Sequence, residues 1–311
     1  MHRIDKYWIV LTLTIAIVYS HDTAAFAQSI SGDSSSVSHD SSKVSHDSSS
    51  DQRDSHAQVY YVNYWVSAPI ILVGGVSGIY HLDHPVSNID SATLANINPN
   101  NVPSFDRVSL HQNIALVPTW DVYAQIGQIT GAAMPVLLLI DGDIRQDWLP
   151  VLTIGLEVNM VALGIYSISP LGPAFQTRYR PLVYYPKAAA DAAGINQADG
   201  NNKESFYSGH VASVAASAFF MAKVYCDYHP DANQYLAYSL AAIPTLGMSY
   251  IRIVTLDHFP SDIAVGIAVG TLCGVLIPEL HKIGNNTLSI GAYSDPATGT
   301  GLTLHWTMES E

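Results

Sequence analysis

The chain has 311 residues, 48% of them hydrophobic and only 13% charged, with 13 Lys and Arg against 26 Asp and Glu for a formal charge of −13. That much apolar chain buries a full core and excludes a wholly disordered protein. So few cations exclude a nucleic-acid binder, because affinity for a phosphate backbone rests on clustered Lys and Arg.

Charge at about half the usual share of roughly 25% points to a membrane protein or a large buried helical core. The two cysteines, Cys226 and Cys273, allow one bridge at most and no disulfide framework.

Residues 1–27 read as a secretory signal. Arg3 and Lys6 precede an apolar run from Trp8 to Tyr19, too short to span a bilayer, and Ala25-Phe26-Ala27 gives the small-x-small cleavage pattern. Residues 28–57 are rich in Ser, Asp and His and repeat Val-Ser-His-Asp-Ser-Ser at Val37 and Val44. With almost nothing to bury, this segment is a disordered linker, and His39, His46 and His56 are solvated rather than metal ligands.

From Val59 on, apolar stretches alternate with polar loops. The pattern predicts helices over Tyr60–Tyr80, Trp120–Ile140, Trp148–Ile168, Val211–Tyr225, Tyr235–Ile253 and Ile263–Leu280, with long loops at 81–112 and 169–208. Thr287–Tyr293 and Gly301–Trp306 alternate like strands around Asp295-Pro296, which predicts a β-hairpin. The expected fold is all-α: a bundle of about six main helices over 58–284, closed by a small C-terminal hairpin over 285–311.

The helix lengths permit membrane spans. Six spans behind a cleaved signal, however, put loop 169–208 in the cytoplasm. Glu157, Asn159, Asp121, Gln125 and Gln128 also lie within predicted helices, where lipid penalises polar groups. The sequence therefore favours an exported, periplasmic bundle, with an inner-membrane bundle whose site faces the periplasm as the alternative.

Three stretches carry chemistry: Thr177-Arg178-Tyr179-Arg180-Pro181, then Ser205-Phe206-Tyr207-Ser208-Gly209-His210, then Arg252 with His258 and Asp262. Ser208 and Gly209 sit where a helix begins, and its free N–H groups and dipole favour an anion. Arg178, Arg180 and Arg252 can each give forked hydrogen bonds to phosphate oxygens.

His258 and Asp262 are four apart at a helix start, a spacing at which the carboxylate can take the proton of one imidazole nitrogen and free the other as a nucleophile. His210 is a second imidazole, available as a general acid. Asp257, beside His258, reads as a solvent-facing loop residue. The set suggests phosphoryl transfer through a phosphohistidine.

Here the sequence resembles the type 2 phosphatidic acid phosphatase and vanadium-dependent haloperoxidase superfamily, whose signature is Lys-x6-Arg-Pro, Pro-Ser-Gly-His and Ser-Arg-x5-His-x3-Asp. Arg180-Pro181, Ser208-Gly209-His210 and Arg252, His258 and Asp262 match it, with Tyr207 in place of proline and Ile251 in place of serine. The first-motif lysine falls at Pro173; Arg178, Lys187 and Lys203 are the cations available to replace it.

The resemblance implies a phosphatase acting on a phosphate monoester or lipid (di)phosphate. His258 would be the nucleophile, Asp262 its orienting partner and His210 the acid and then base. Arg180, Arg252, Ser208 and Gly209, with Arg178, would hold the phosphoryl group. Phosphorylated small molecules or lipid headgroups are the implied partners, with possible membrane association and no nucleic acid. No metal or cofactor is implied, except vanadate under the haloperoxidase alternative. A non-catalytic phosphate-binding bundle is the further alternative raised by Pro173.

Overall fold

The structure is a computed structural model that describes residues 58–83, 86–284, 288–295 and 299–306. The signal and linker expected over 1–57 lie outside the described residues.

Six long helices make the bundle: α1 (Tyr64–Asp83), α2 (Val117–Ala133), α3 (Trp148–Ile168), α4 (Gly209–Tyr228), α5 (Gln234–Val254) and α6 (Pro260–His281). Shorter α and 3-10 helices fill the loops between them. Two further strands, β1 (Leu288–Asp295) and β2 (Gly299–Trp306), pair antiparallel with Leu288 opposite Trp306.

Local chemistry fixes the boundaries. Asn233 caps α5 by accepting from the Leu236 amide at 3.1 Å. Pro118 and Pro260 occupy first turns, where a missing N–H costs nothing. The second predicted helix does not stay α-helical to Ile140. It continues from Met134 as a 3-10 segment, and Pro135 at the start of that segment offers no amide donor. The first helix starts four residues later than predicted, because residues 59–61 are extended and bonded to the end of α6. Tyr61 N donates to His281 O and Ile283 N to Val59 O, both at 2.8 Å.

Helix α4 is the centre, packed against α2, α3, α5 and α6. Its contact with α6 is a backbone-to-backbone fit. A Cβ on Gly266, Gly270 or Gly274 would lie 2.7, 2.2 and 2.5 Å from the carbonyl oxygens of Ser208, Ala212 and Ala216. These are two facing ridges at four-residue spacing, and only glycine permits the approach. Phe220, Val151, Ile154, Val158 and Ile277 fill the core nearby.

Of the polar residues that argued against lipid, the two on α3 face inward. Glu157 is 4% exposed and lies 3.4 Å from His281. Asn159 bonds Ser213 and Ser217 across the α3–α4 contact. Asp121, in the second turn of α2, and Gln125, at its middle, are exposed, and Gln128 is half-buried.

The outer faces are apolar instead: Trp65 is 92% exposed, Tyr235 87% and Ile140 78%, with Leu72, Val76, Ile126, Ile129, Leu240, Ile243 and Leu272 also outward. Three stretches, Ile114–Ile140, Trp148–Ile168 and Pro260–His281, are long and apolar enough to cross a membrane. These stretches and the apolar outer faces fit the inner-membrane alternative.

Helices α1, α3 and α5 end, and α2, α4 and α6 begin, at one end of the bundle. All three chemistry-bearing stretches lie there. Residues 58–63 and 282–284 lie at the other end.

Candidate active site

The turn into α4 is built by packing. Tyr207, the residue in the place of the motif proline, is fully buried with its ring edge-on to Tyr166 at 5.5 Å. A Cβ on Gly209 would sit 3.2 Å from the Tyr166 ring, so glycine is what lets the turn close on it. Ser208 N donates to the Asp262 carbonyl at 3.2 Å, joining the starts of α4 and α6. Ser208 Oγ and His210 Nε2 are both buried and have no hydrogen-bond partner among the described residues.

His258 sits in the short α5–α6 connection and is 2% exposed. Its Nδ1 lies 2.6 Å from the backbone carbonyl of Ser205. A carbonyl only accepts, so Nδ1 carries the proton and Nε2 presents its lone pair. Arg252 Nη2 lies 3.4 Å from that Nε2. Burial, reinforced by the Arg252 and Arg180 guanidiniums, holds the imidazole well below its usual range, so the ring is neutral.

The expected His258–Asp262 hydrogen bond is not formed. Asp262 accepts from Ser205 Oγ at 2.6 Å, from Phe259 N at 2.8 Å and from Arg178. Phe259 lies between His258 and the first turn of α6, and its amide takes the carboxylate that the spacing seemed to offer to the imidazole. Asp262 thus acts on His258 only through Ser205.

Asp257 is also not where the sequence put it. It is 7% exposed, not a solvated loop residue. Its carboxylate bridges Arg180 Nη1 at 2.5 Å and Arg252 Nη2 at 3.0 Å. Burial pushes its carboxyl up, but the Arg252 and Arg180 guanidiniums overcome that and hold it well below the usual carboxylate range. The two arginines keep Arg180 Nε and Arg252 Nε and Nη1 buried without a partner among the described residues.

Arg178, expected to bind phosphate, is engaged elsewhere. Its guanidinium binds Asp262, Ser261 Oγ at 2.8 Å and Asp106 Oδ2 at 2.7 Å, and stacks 4.6 Å from the Phe259 ring centroid. Two carboxylates already hold it. Asp106, on the 3-10 segment Ser104–His111, also accepts from Ser261 N at 2.9 Å.

Sequence reasoning missed Asp106, and no motif spacing announces it. Nor do the other cations replace the motif lysine. Lys187 pairs with Asp191 on the surface, and Lys203 Nζ donates to Ser87 and Asn88 carbonyls.

Arg180, Arg252, Ser208, His210 and His258 therefore converge. His210 and His258 each lie within electrostatic reach of Arg180, Arg252 and Asp257. Buried donors left without partners cost free energy unless a ligand takes them. Here Arg180 Nε, Arg252 Nε and Nη1 belong to the two guanidiniums that act on a neutral imidazole, and Ser208 Oγ is a further partnerless donor at the start of α4. That arrangement can hold a tetrahedral oxyanion in reach of a nitrogen nucleophile.

Of the groups suited to a metal, Asp141, Asp143 and His229 bring ligand atoms within 4.8 Å of one another, at the far end of the bundle. Asp141 there already caps the Gly142–Gln146 helix.

A family model described as PAP2 superfamily matches residues 153–283, which hold α4, α5, α6 and every motif residue above. No curated protein and no solved structure matches the chain.

Proposed function

We propose that this chain, whose residues 153–283 belong to the PAP2 superfamily, is a membrane-embedded phosphatase that works through a phosphohistidine. Family membership supports phosphatase-type activity at the level of a phosphoric ester hydrolase. The observation that carries the finer reading is the set of partnerless buried groups, Arg180 Nε, Arg252 Nε and Nη1, Ser208 Oγ and His210 Nε2, around the neutral His258.

In the proposed cycle Arg180, Arg252, Ser208 and the Gly209 amide hold the phosphoryl oxygens of a phosphate monoester or lipid (di)phosphate. His258 Nε2 attacks phosphorus as the ester P–O bond breaks, and His210 gives the leaving alkoxide its proton. His210 then takes a proton from water, whose oxygen attacks phosphorus and releases phosphate from His258. Ser205 holds the His258 tautomer through its carbonyl, and Asp262 holds Ser205. No metal ion takes part in these steps. The same cradle would suit vanadate, the haloperoxidase alternative.

The domain plan belongs to this reading: signal over 1–27, linker over 28–57, bundle over 58–284 and hairpin over 285–311. The apolar outer faces support placement in the inner membrane over a soluble exported form. If the six helices span, residues 58–63 and the site lie on opposite sides of the bilayer. A site facing the periplasm then requires the N-terminal segment to stay in the cytoplasm, which is incompatible with cleavage and export at residues 1–27; with that signal cleaved, six spans place the site on the cytoplasmic face.

The test is phosphate release from a chromogenic phosphomonoester and from a lipid phosphate by the purified protein. Activity that is lost in His258→Ala supports the reading, and full activity in that variant refutes it.

A further inference from the structure

We propose that Asp257 sets the charge of the group the cradle admits, so that a singly charged phosphoryl group is bound in preference to a doubly charged one. This rests on the phosphatase reading above and deepens it.

The phosphoryl-facing cations are Arg180, from the 169–208 loop, and Arg252, from the end of α5. Asp257 takes one Nη of each, at 2.5 and 3.0 Å. Arg178 contributes nothing, because Asp106 and Asp262 already bracket it. The lysine of the motif is absent at Pro173, and Lys187 and Lys203 are committed elsewhere.

The other groups facing Asp257 do not add cation. His258 is neutral, Tyr166 on α3 is a phenol, and His210 on α4 presents a partnerless Nε2 that takes up the proton it passes to the leaving alkoxide only with the singly charged phosphoryl group. Asp121 on α2 lies within electrostatic reach of both arginines and of Asp257, and adds a further carboxylate.

The cradle thus offers two guanidinium charges against one carboxylate inside it and another at its margin. A doubly charged phosphoryl group leaves an uncompensated negative charge in a buried site. A singly charged one is balanced.

A phosphate monoester loses its second proton near pH 6. The site therefore selects the protonated minority at neutral pH and the dominant species at acid pH. Asp257 is a positioning and specificity residue, acting through Arg180 and Arg252.

The experiment is calorimetry on the full chain in detergent, with inorganic phosphate and with sulfate, a dianion that does not titrate. Above the second ionisation of phosphate, in buffers of different ionisation enthalpy, binding should take up about one proton per phosphate. Sulfate should bind at least about tenfold more weakly than phosphate does below that ionisation. Asp257→Asn should lose the proton uptake and bring sulfate to within about threefold of phosphate.

Equal wild-type affinity for sulfate and phosphate, or binding with no proton uptake, would overturn the proposal and leave the phosphatase reading standing. Absence of phosphate binding by the wild-type protein at every pH would overturn both. The wild-type measurements decide even where Asp257→Asn does not fold.

Discussion

His258 donates Nδ1–H to the carbonyl of Ser205 at 2.6 Å, and the hydroxyl of the same serine donates to Asp262 at 2.6 Å. The carboxylate and the imidazole are thus coupled through one residue, not bonded to each other. This relay predicts different costs for its parts. Ser205→Ala keeps the carbonyl and should lower kcat by no more than about tenfold. Asp262→Asn also breaks the Arg178 pair and should lower kcat by about 10- to 100-fold with KM little changed. Steady-state kinetics on both variants, with melting curves to check folding, decide the ranking. Equal losses would contradict it.

The pH profile follows from the imidazole. The nucleophile is the neutral form of His258, and burial with two guanidiniums keeps it neutral well below the ordinary histidine value of about 6.5. As pH falls, the nucleophile should persist through that value. The acid limb of kcat/KM should therefore lie well under it. Asp257→Asn removes the carboxylate that favours the imidazolium and should move that limb lower still. An acid limb centred near the ordinary value in the wild-type protein would contradict the geometry.

The α4–α6 contact predicts a sharp contrast between two glycines. A Cβ at Gly270 meets the Ala212 carbonyl at 2.2 Å, whereas one at Gly247 meets nothing within 4 Å. Gly270→Ala must part the helices and strain the Ser208–Asp262 backbone link, at about 1–3 kcal/mol and with reduced activity. Gly247→Ala should be neutral or stabilising by up to about 1 kcal/mol. Thermal unfolding of the two variants in one detergent measures the difference.

Sidedness is testable without knowing the compartment. Single cysteines at Ser49→Cys, which precedes the bundle, and at Asn101→Cys, on the loop at the site end, should label with an impermeant thiol reagent from opposite faces of sealed vesicles. Cys226 and Cys273 are buried and should stay silent. Labelling of both from one face would show that the bundle does not span.

Much of the site could be read in the sequence, because Arg180, Ser208, Gly209, His210, Arg252 and His258 belong to spaced motifs at loop–helix junctions. Helix positions were also legible from apolar runs, and α3 keeps its predicted bounds of Trp148–Ile168. What was not legible depends on tertiary contacts. The acceptor for His258 is a main-chain carbonyl, which no side-chain pattern encodes. Arg178 and Arg180 are two residues apart and look alike in sequence. Yet one pairs with Asp106 and Asp262 and the other with Asp257. Asp257 looked like a surface residue because its partners, Arg180 and Arg252, are distant or on another element.

The most direct measurement is an acid-avoiding quench during turnover of a phosphorus-labelled monoester, followed by mapping of the labelled peptide. The account predicts an acid-labile, base-stable phosphate on His258, lost in His258→Ala. In His210→Ala it should accumulate with a good leaving group, because the second step then lacks its base. Steady turnover with no protein-bound phosphate, or with the label on another residue, would contradict it.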